Sequence, residues 1–299
     1  NKNYDELLKQ AKIFNVKNLI ITDKISYFKI LKINKNKKIR IFNNYEIFHK
    51  VFNKKIDYTM SAISGLEGLE PTLKIIQYTK KIAIANKEGI ICGWNLLNKN
   101  LLKYKTEFLP VDSEHFSIWY ALKNNYSNIH KILLTASGGP FHKLPLNRFK
   151  KIKINQALKH PNWKMGKKIS IDSATMMNKV FEIIEAKNIF NLNYKKLSIL
   201  IHPKSYVHAI VTFEDGMTKI IVHDTNMKIP IFNTLYSDTK KKIEFKKLNI
   251  KILNNLSFES VDRKKFPIVE ILDFLPLKSS LFETVIVSAN DELVRLFLN

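Results

Sequence analysis

Cysteine is nearly absent. The single Cys92 in 299 residues excludes a disulfide scaffold and a cysteine-rich zinc site, and it suits a reducing compartment. No uncharged apolar run approaches the roughly 18 residues of a membrane helix, so no membrane-spanning segment is expected. Arginine is scarce too, limited to Arg40, Arg148, Arg263 and Arg295. Acids fall well short of bases: 50 Lys and Arg against 26 Asp and Glu leave a formal charge of +24. Such an excess points towards nucleic acid, yet nucleic-acid readers draw on Arg for bidentate contacts and on clustered patches. Here the base is Lys, spread from end to end beside Asn and Ile, as in INKNKKI at 33–39. These three amino acids have the codons richest in A and T. The charge therefore reads as genome composition, and no nucleic-acid partner is expected. A hydrophobic content of 45% with 19 Phe and 11 Tyr excludes a disordered polyelectrolyte.

At roughly 150 residues per domain, the length suggests about two domains. Apolar patterning predicts strands over 18–23, 38–43, 57–63 and 81–85, alternating with helices over 4–14, 23–31, 45–54, 70–80 and 87–97. Strands and helices at this spacing argue for a parallel, doubly wound sheet. From about residue 112 the pattern changes. A strand over 132–137 runs into Ser137-Gly138-Gly139-Pro140, and 197–202, 206–213 and 218–222 read as an antiparallel meander turning at Asp215-Gly216. From about residue 262 the chain reads as helical.

Several constellations can carry chemistry. In LPVDSEH (109–115), at the end of a strand, alternation places Asp112 and Glu114 on one side, where they can share a hard cation such as Mg²⁺ or Mn²⁺. The same residues also fit a helix start with Asp112 or Ser113 as N-cap, the better reading on spacing alone. Further on, Ser173 can cap a helix that puts Asn178 and Glu182 on one face at i and i+4, with Lys179 beside them. Alternatively, Glu182 and Glu185 are outer-face carboxylates of a helix whose core is Ile183, Ile184 and Ile189. His160 to Lys167 is bounded by Pro and Gly and holds Trp163, as a closing loop or a plain surface turn would. Asn86, Lys87 and Glu88 follow a strand at its carboxyl end, where open α/β sheets bind ligands. Ser137 and its glycines suit an oxyanion or a turn.

Taken in order, ANKE (85–88), LPVDSEH (109–115), LTASGGPF (134–141), HPNWKMGKKISIDSATMMNK (160–179) and IHPKSYVHAIV (201–211) resemble the 1-deoxy-D-xylulose 5-phosphate reductoisomerase family, in register from about residue 2 to residue 292. The resemblance implies an NADPH-dependent, divalent-metal homodimer using Mg²⁺ or Mn²⁺. Such an enzyme rearranges 1-deoxy-D-xylulose 5-phosphate and reduces the product to 2-C-methyl-D-erythritol 4-phosphate for isoprenoid synthesis. Position by position, it implies metal carboxylates at Asp112, Glu114 and Glu182. Sugar-phosphate contacts are implied at Lys87, Ser113, Glu114, Ser137, His160, Ser173, Asn178, Lys179 and Glu182, with Trp163 on a flexible lid. Cofactor contacts are implied at Asn86, Glu88 and Gly166, and at Lys2 and Asn3 near the adenosine phosphate. Lys87 and Glu114 are the implied acid/base groups.

The family's glycine-rich turn, G-x-T-G-S-x-G, is absent. The expectation is therefore a Rossmann-like NADPH-binding domain over 1–112 lacking its first βα unit, an α+β catalytic and dimerisation domain over 113–261, and the start of a C-terminal helical domain over 262–299. A partial sequence of an active enzyme is expected; a truncated, non-catalytic remnant is the alternative. His142 stands where the family usually has Arg, and Val180-Phe181 where Gly-Leu is common. Bacterial cytoplasm, or a plastid reached by a transit peptide, both fit.

Overall fold

A computed structural model describes residues 2–36, 38–245, 249–278 and 280–299. Its amino-terminal part alternates as expected. Helix α1 (Tyr4–Ile13), capped by Asn3, is followed by β1 (Asn18–Ile20), α2 (Lys24–Ile33) and β2 (Arg40–Phe42). Next come the single turn α3 (Phe48–Val51), β3 (Ile56–Ser61), α4 (Leu69–Ile75), β4 (Thr79–Ile84), α5 (Lys87–Tyr104) and β5 (Glu107–Pro110). All pairings here are parallel, in two ladders, β1–β2 and β3–β4–β5.

Some boundaries move for physical reasons. The helix expected over 45–54 is a 3₁₀ turn plus one α turn, because Phe48 and Phe52 turn inward onto Tyr78 in a tilted aromatic cluster. The helix expected over 70–80 ends early. Thr106 Oγ1 bonds the carbonyls of Ile76 and Thr79 at 2.8 and 2.9 Å, pulling Thr79 into β4. Helix α5 outruns its expected end because Leu97 and Leu101 continue its buried stripe to a left-handed cap at Lys105.

The second part follows with α6 (Ser113–Leu122), β6 (Ile129–Ala136), α7 (Ile154–Ala157), α8 (Lys167–Thr175) and α9 (Met177–Ile189). Strands β7 (Leu197–Ile201), β8 (Val207–Phe213) and β9 (Thr218–Val222) precede α10 (Lys228–Leu235), α11 (Ile250–Leu253), β10 (Glu259–Ser260) and α12 (Phe282–Leu298). The sheet order is β10-β7-β6-β8-β9. This corrects the expected meander: β7 pairs parallel with β6, and β8 pairs antiparallel with the other edge of β6. Strand β6 takes the centre, with Ile132 and Leu134 fully buried and a partner strand on each edge. Only β8–β9 forms the hairpin, turning at Gly216 with φ +85°.

Helix α9 is central. One face joins Ile118 of α6 and the sheet through Ile183 and Ala186; another packs Val180, Phe181 and Ile184 against Ile91 of α5 and Ile286 and Val287 of α12. Val180 and Phe181 are therefore core residues here. Among the described residues, no helix is long and apolar enough to cross a membrane.

Candidate active site

The site forms where β4, β5 and β6 end and α5, α6, α8 and α9 converge. Asn86 caps α5. Its Oδ1 accepts from Gly89 N at 2.6 Å, and its Nδ2 donates to the carbonyls of Ile63 and Gly65 at 2.6 and 2.8 Å. With its amide so engaged, Asn86 ties the loop after β3 to the start of α5 and aims Lys87 and Glu88 at a cavity of about 610 Å³.

At the β5–α6 junction Asp112 occupies the N-cap position, yet its side chain makes no cap hydrogen bond and pairs instead with Lys87. The expected helix start holds, with Asp112 at the cap position, although without a cap hydrogen bond; the strand-alternation expectation needs correcting. Asp112 and Glu114 converge because a strand-to-helix turn brings them together, since β5 ends at Pro110, and strand alternation is not involved. Ser113 Oγ donates to Glu114 Oε2 at 2.6 Å, and Lys179 Nζ donates to Glu114 Oε1 at 2.7 Å.

Ser173 does not cap a helix. It lies inside α8, which breaks at Met176 in a left-handed conformation of φ +70° before α9 begins. From α9, Asn178 Nδ2 donates to Glu182 Oε1 at 2.5 Å. The outer-face reading of Glu182 and Glu185 fails: they are 1% and 2% exposed. Because apolar partners surround α9, its polar stripe at i, i+4 and i+7 has only the cavity to face. Glu185 was not singled out from the sequence, although this spacing from Asn178 and Glu182 is the signal that reveals it.

The result is a compact charge cluster. Oxygens of Asp112, Glu114 and Glu182 all lie within 4.8 Å of one another. Lys87 Nζ touches Asp112, lies 2.7 Å from Glu185 Oε2 and 3.9 Å from Glu182 Oε1, and Lys179 bridges Glu114 and Glu182. Four carboxylates thus face two ammonium groups. Glu182 Oε2 approaches Lys179 Nζ at 2.5 Å but lacks hydrogen-bond geometry, leaving a buried oxygen without a hydrogen bond. At this separation, each carboxylate pair repels by about 3–4 kcal/mol at an effective dielectric near 20. Burial, reinforced by Glu114, pushes the Glu182 carboxyl up to about 8. Burial alone would raise Asp112 too, but Lys87 and His115 hold it well below the usual carboxylate range. A hard dication fits the remaining charge and the all-oxygen donor set.

Across the cavity, Gly138 and Gly139 take φ +81° and +65°, and a Cβ on Gly139 would stand 2.7 Å from the Ser173 carbonyl. This lets the loop after β6 lie flat on α8. Ser137 Oγ accepts from Gly139 N at 3.0 Å and meets His160 Nε2 at 3.0 Å. His160 Nδ1 accepts the backbone N–H groups of Asn162 and Trp163 at 3.1 and 2.9 Å. That fixes the tautomer: Nε2–H donates to Ser137, whose own hydroxyl proton is left to point at a ligand. Trp163 edges onto His208 at 6.3 Å between ring centroids.

Every site residue expected from the sequence lines this cavity except Lys2 and Asn3. Asn3 Oδ1 instead accepts from Glu6 N at 3.3 Å as the α1 cap. The cavity also recruits Glu185, Lys168, Asp172 and His208, which the sequence reading did not propose.

Comparison with known proteins shows the family. A family model described as 1-deoxy-D-xylulose 5-phosphate reductoisomerase matches residues 1–93, its C-terminal domain model matches 108–190, and a DXP reductoisomerase C-terminal domain matches 223–299. The chain is 63% identical over 302 residues to the reductoisomerase of Pelagibacter ubique, spanning all of this chain and 78% of that protein. It is 39% identical over 305 residues to that of Wolbachia pipientis wMel, at 100% and 77% coverage. The Zymomonas mobilis reductoisomerase in complex with NADPH superposes with a TM-score of 0.88 at 31% identity, over 100% of this chain and 78% of that one. A reductoisomerase in complex with NADPH, fosmidomycin and magnesium gives 0.87 at 30% identity, over 99% and 76%.

The neutral His160 leads to a test. Burial, then the Lys179 charge, lowers its pKa from the ordinary 6.5 to about 4. The folded protein therefore binds the His160 proton less readily than the unfolded chain. Its contribution to stability is fully present above pH 6.5 and is lost as pH falls through about 4. An NMR titration of the His160 ring is expected to show that low midpoint; a midpoint at or above 6.5 contradicts the assigned tautomer and burial.

Proposed function

The chain belongs to the 1-deoxy-D-xylulose 5-phosphate reductoisomerase family and is an NADPH- and divalent-metal-dependent oxidoreductase, and we propose the residue assignments by which it converts 1-deoxy-D-xylulose 5-phosphate to 2-C-methyl-D-erythritol 4-phosphate. The observation that carries these assignments is the carboxylate cluster of Asp112, Glu114 and Glu182, closed by Lys87 and Lys179.

Asp112, Glu114 and Glu182 hold Mg²⁺ or Mn²⁺, which supplies Lewis-acid polarisation of the substrate carbonyl and hydroxyl oxygens when bound. NADPH supplies the hydride. Everything else falls to the chain. Lys87 keeps a positive charge beside the substrate oxygens, and Glu114, held by Ser113 and Lys179, is the group that takes and returns a proton. Ser137, His160, Ser173, Asn178 and Lys179 take the phosphate. The free Ser137 proton provides a donor to the phosphate oxygens, and the unpartnered Asn178 Oδ1 an acceptor for a substrate hydroxyl. Anchoring the phosphate applies binding energy away from the reacting carbons. Trp163 closes over the substrate and excludes water. Asn86, Glu88 and Gly166 line the nicotinamide end, and Lys2 and Asn3 serve the adenosine phosphate end.

Residues 1–112 form the cofactor-binding unit, 113–261 the catalytic and dimerisation unit, and 262–299 the start of a helical unit. The second copy pairs along β9, the edge strand of the five-stranded sheet, where Ile220 is exposed, as is Met217 in the turn before it.

Two outcomes test these assignments. Glu182→Gln keeps the side-chain shape but removes the ligand charge, and it is expected to cut metal-dependent NADPH oxidation by roughly a hundredfold or more with little change in melting temperature. Undiminished turnover would refute the metal assignment. Light scattering of the native protein is expected to give twice the chain mass, and Ile220→Lys the single mass. A wild type at the single mass would refute the β9 dimer.

A further inference from the structure

Lys168 has no part in the assignments above, yet it joins three segments of the fold. It is the second residue of α8, two positions after Gly166, where the Trp163 loop ends. Its Nζ lies 2.8 Å from Glu88 Oε1 on α5, 3.0 Å from Asp172 Oδ2 on α8 and 3.1 Å from Asp291 Oδ1 on α12. The ammonium also sits 5.5 Å from the centroid of the Phe181 ring, one of the two positions where this chain departs from the Gly-Leu common in the family. Helix α12 grips the cluster from behind: Asn290 Nδ2 donates to Asp172 Oδ1 at 2.8 Å in a buried contact. Asp172 immediately precedes Ser173, and Glu88 immediately follows Lys87.

One cation therefore holds three carboxylates that would otherwise repel one another across three helices. Burial would push the Glu88 carboxyl up, but the Lys168 hydrogen bond and charge bring it below its ordinary value. Burial keeps the Asp172 carboxyl above its ordinary value even though Lys168 opposes it. A side chain one-third exposed is enclosed enough for these contacts to fix its head group while its position stays open to the cavity.

We propose that Lys168 is a positioning residue for cofactor seating, fixing the Glu88 carboxylate and the root of the Trp163 loop in one arrangement. NADPH binding on the Glu88 side is thereby coupled to loop closure over the phosphate side. The inference rests on the reading that Glu88 and Gly166 face the cofactor. Among the described residues, the ion pairs of Lys168 are with Glu88, Asp172 and Asp291 and not with Asp112, Glu114 or Glu182, so its loss acts on cofactor seating while metal binding stays intact.

The test uses the full chain with Mg²⁺, NADPH and 1-deoxy-D-xylulose 5-phosphate. Lys168→Met is expected to raise the NADPH KM roughly tenfold, the scale of a lost charge-assisted hydrogen bond, with metal affinity unchanged and Lys168→Arg largely restoring it. In a Trp94→Phe/Trp119→Phe background, the Trp163 fluorescence change on NADPH addition is expected to disappear with Lys168→Met. Should the Met variant not fold, Lys168→Gln, which keeps a donor on a similar stem, takes its place with the same expectation. Glu88→Gln separates the two layers of the argument. If it raises the NADPH KM while the Lys168 variants do not, the positioning role is overturned and the Glu88 reading stands. If none of them alters that KM, both fall.

Discussion

Everything in the site depends on the repulsion among carboxylates that the fold forces together. Asp112, Glu114 and Glu182 come from two helices, and Glu185 joins them from the same face of α9 as Glu182. Buried like charges at this distance must be neutralised by a proton, a lysine or a metal ion. Lys87 and Lys179 hold most of the charge, and Glu182, the most enclosed carboxyl, retains its proton to about pH 8. The result is a site charged for a dication before one arrives.

The surrounding architecture exists to keep that cluster enclosed. Helix α9 could carry three carboxylate or amide side chains on a solvent-facing stripe without strain. Here α5, α6, α12 and the sheet leave the stripe no exit but the cavity. The same packing makes Val180 and Phe181 core residues, so a substitution beside the metal carboxylates is absorbed as packing and leaves the ligands in place. Across the cavity, the His160 tautomer is set by two backbone N–H groups, so Ser137 is free to donate to the phosphate, while Lys179 supplies positive charge beside the metal carboxylates.

The wound βα order was legible because apolar strands and helices alternate at short spacing over the first 110 residues. The site residues were legible as strings rather than as geometry. Asp112 and Glu114 were paired for the wrong reason, since strand alternation cannot operate beyond Pro110. Ser173 was given a cap role because Asp-Ser before a helical pattern resembles one, whereas the break falls three residues later at Met176, which adopts a left-handed conformation that periodicity does not encode. For Glu182 the sequence does not decide between ligand and surface, because a single helix's pattern does not report what packs on its other faces. The place of β7 beside β6 is illegible for a similar reason: β7 and β8 follow one another in sequence yet pair with opposite edges of β6, and that choice is made by the assembled core. Lys168 is illegible in the sequence because its partners lie far away, Glu88 and Asp291 across 80 and 123 positions.

Magnesium binding as a function of pH tests the central claim most directly. If Glu182 must lose a proton held to about pH 8, the Mg²⁺ association constant should rise about tenfold per pH unit below that value and level off above it. Calorimetry in buffers of different ionisation enthalpy should show about one proton released per ion bound at pH 7. An association constant flat from about pH 6 to 9, with no proton released, would contradict the account.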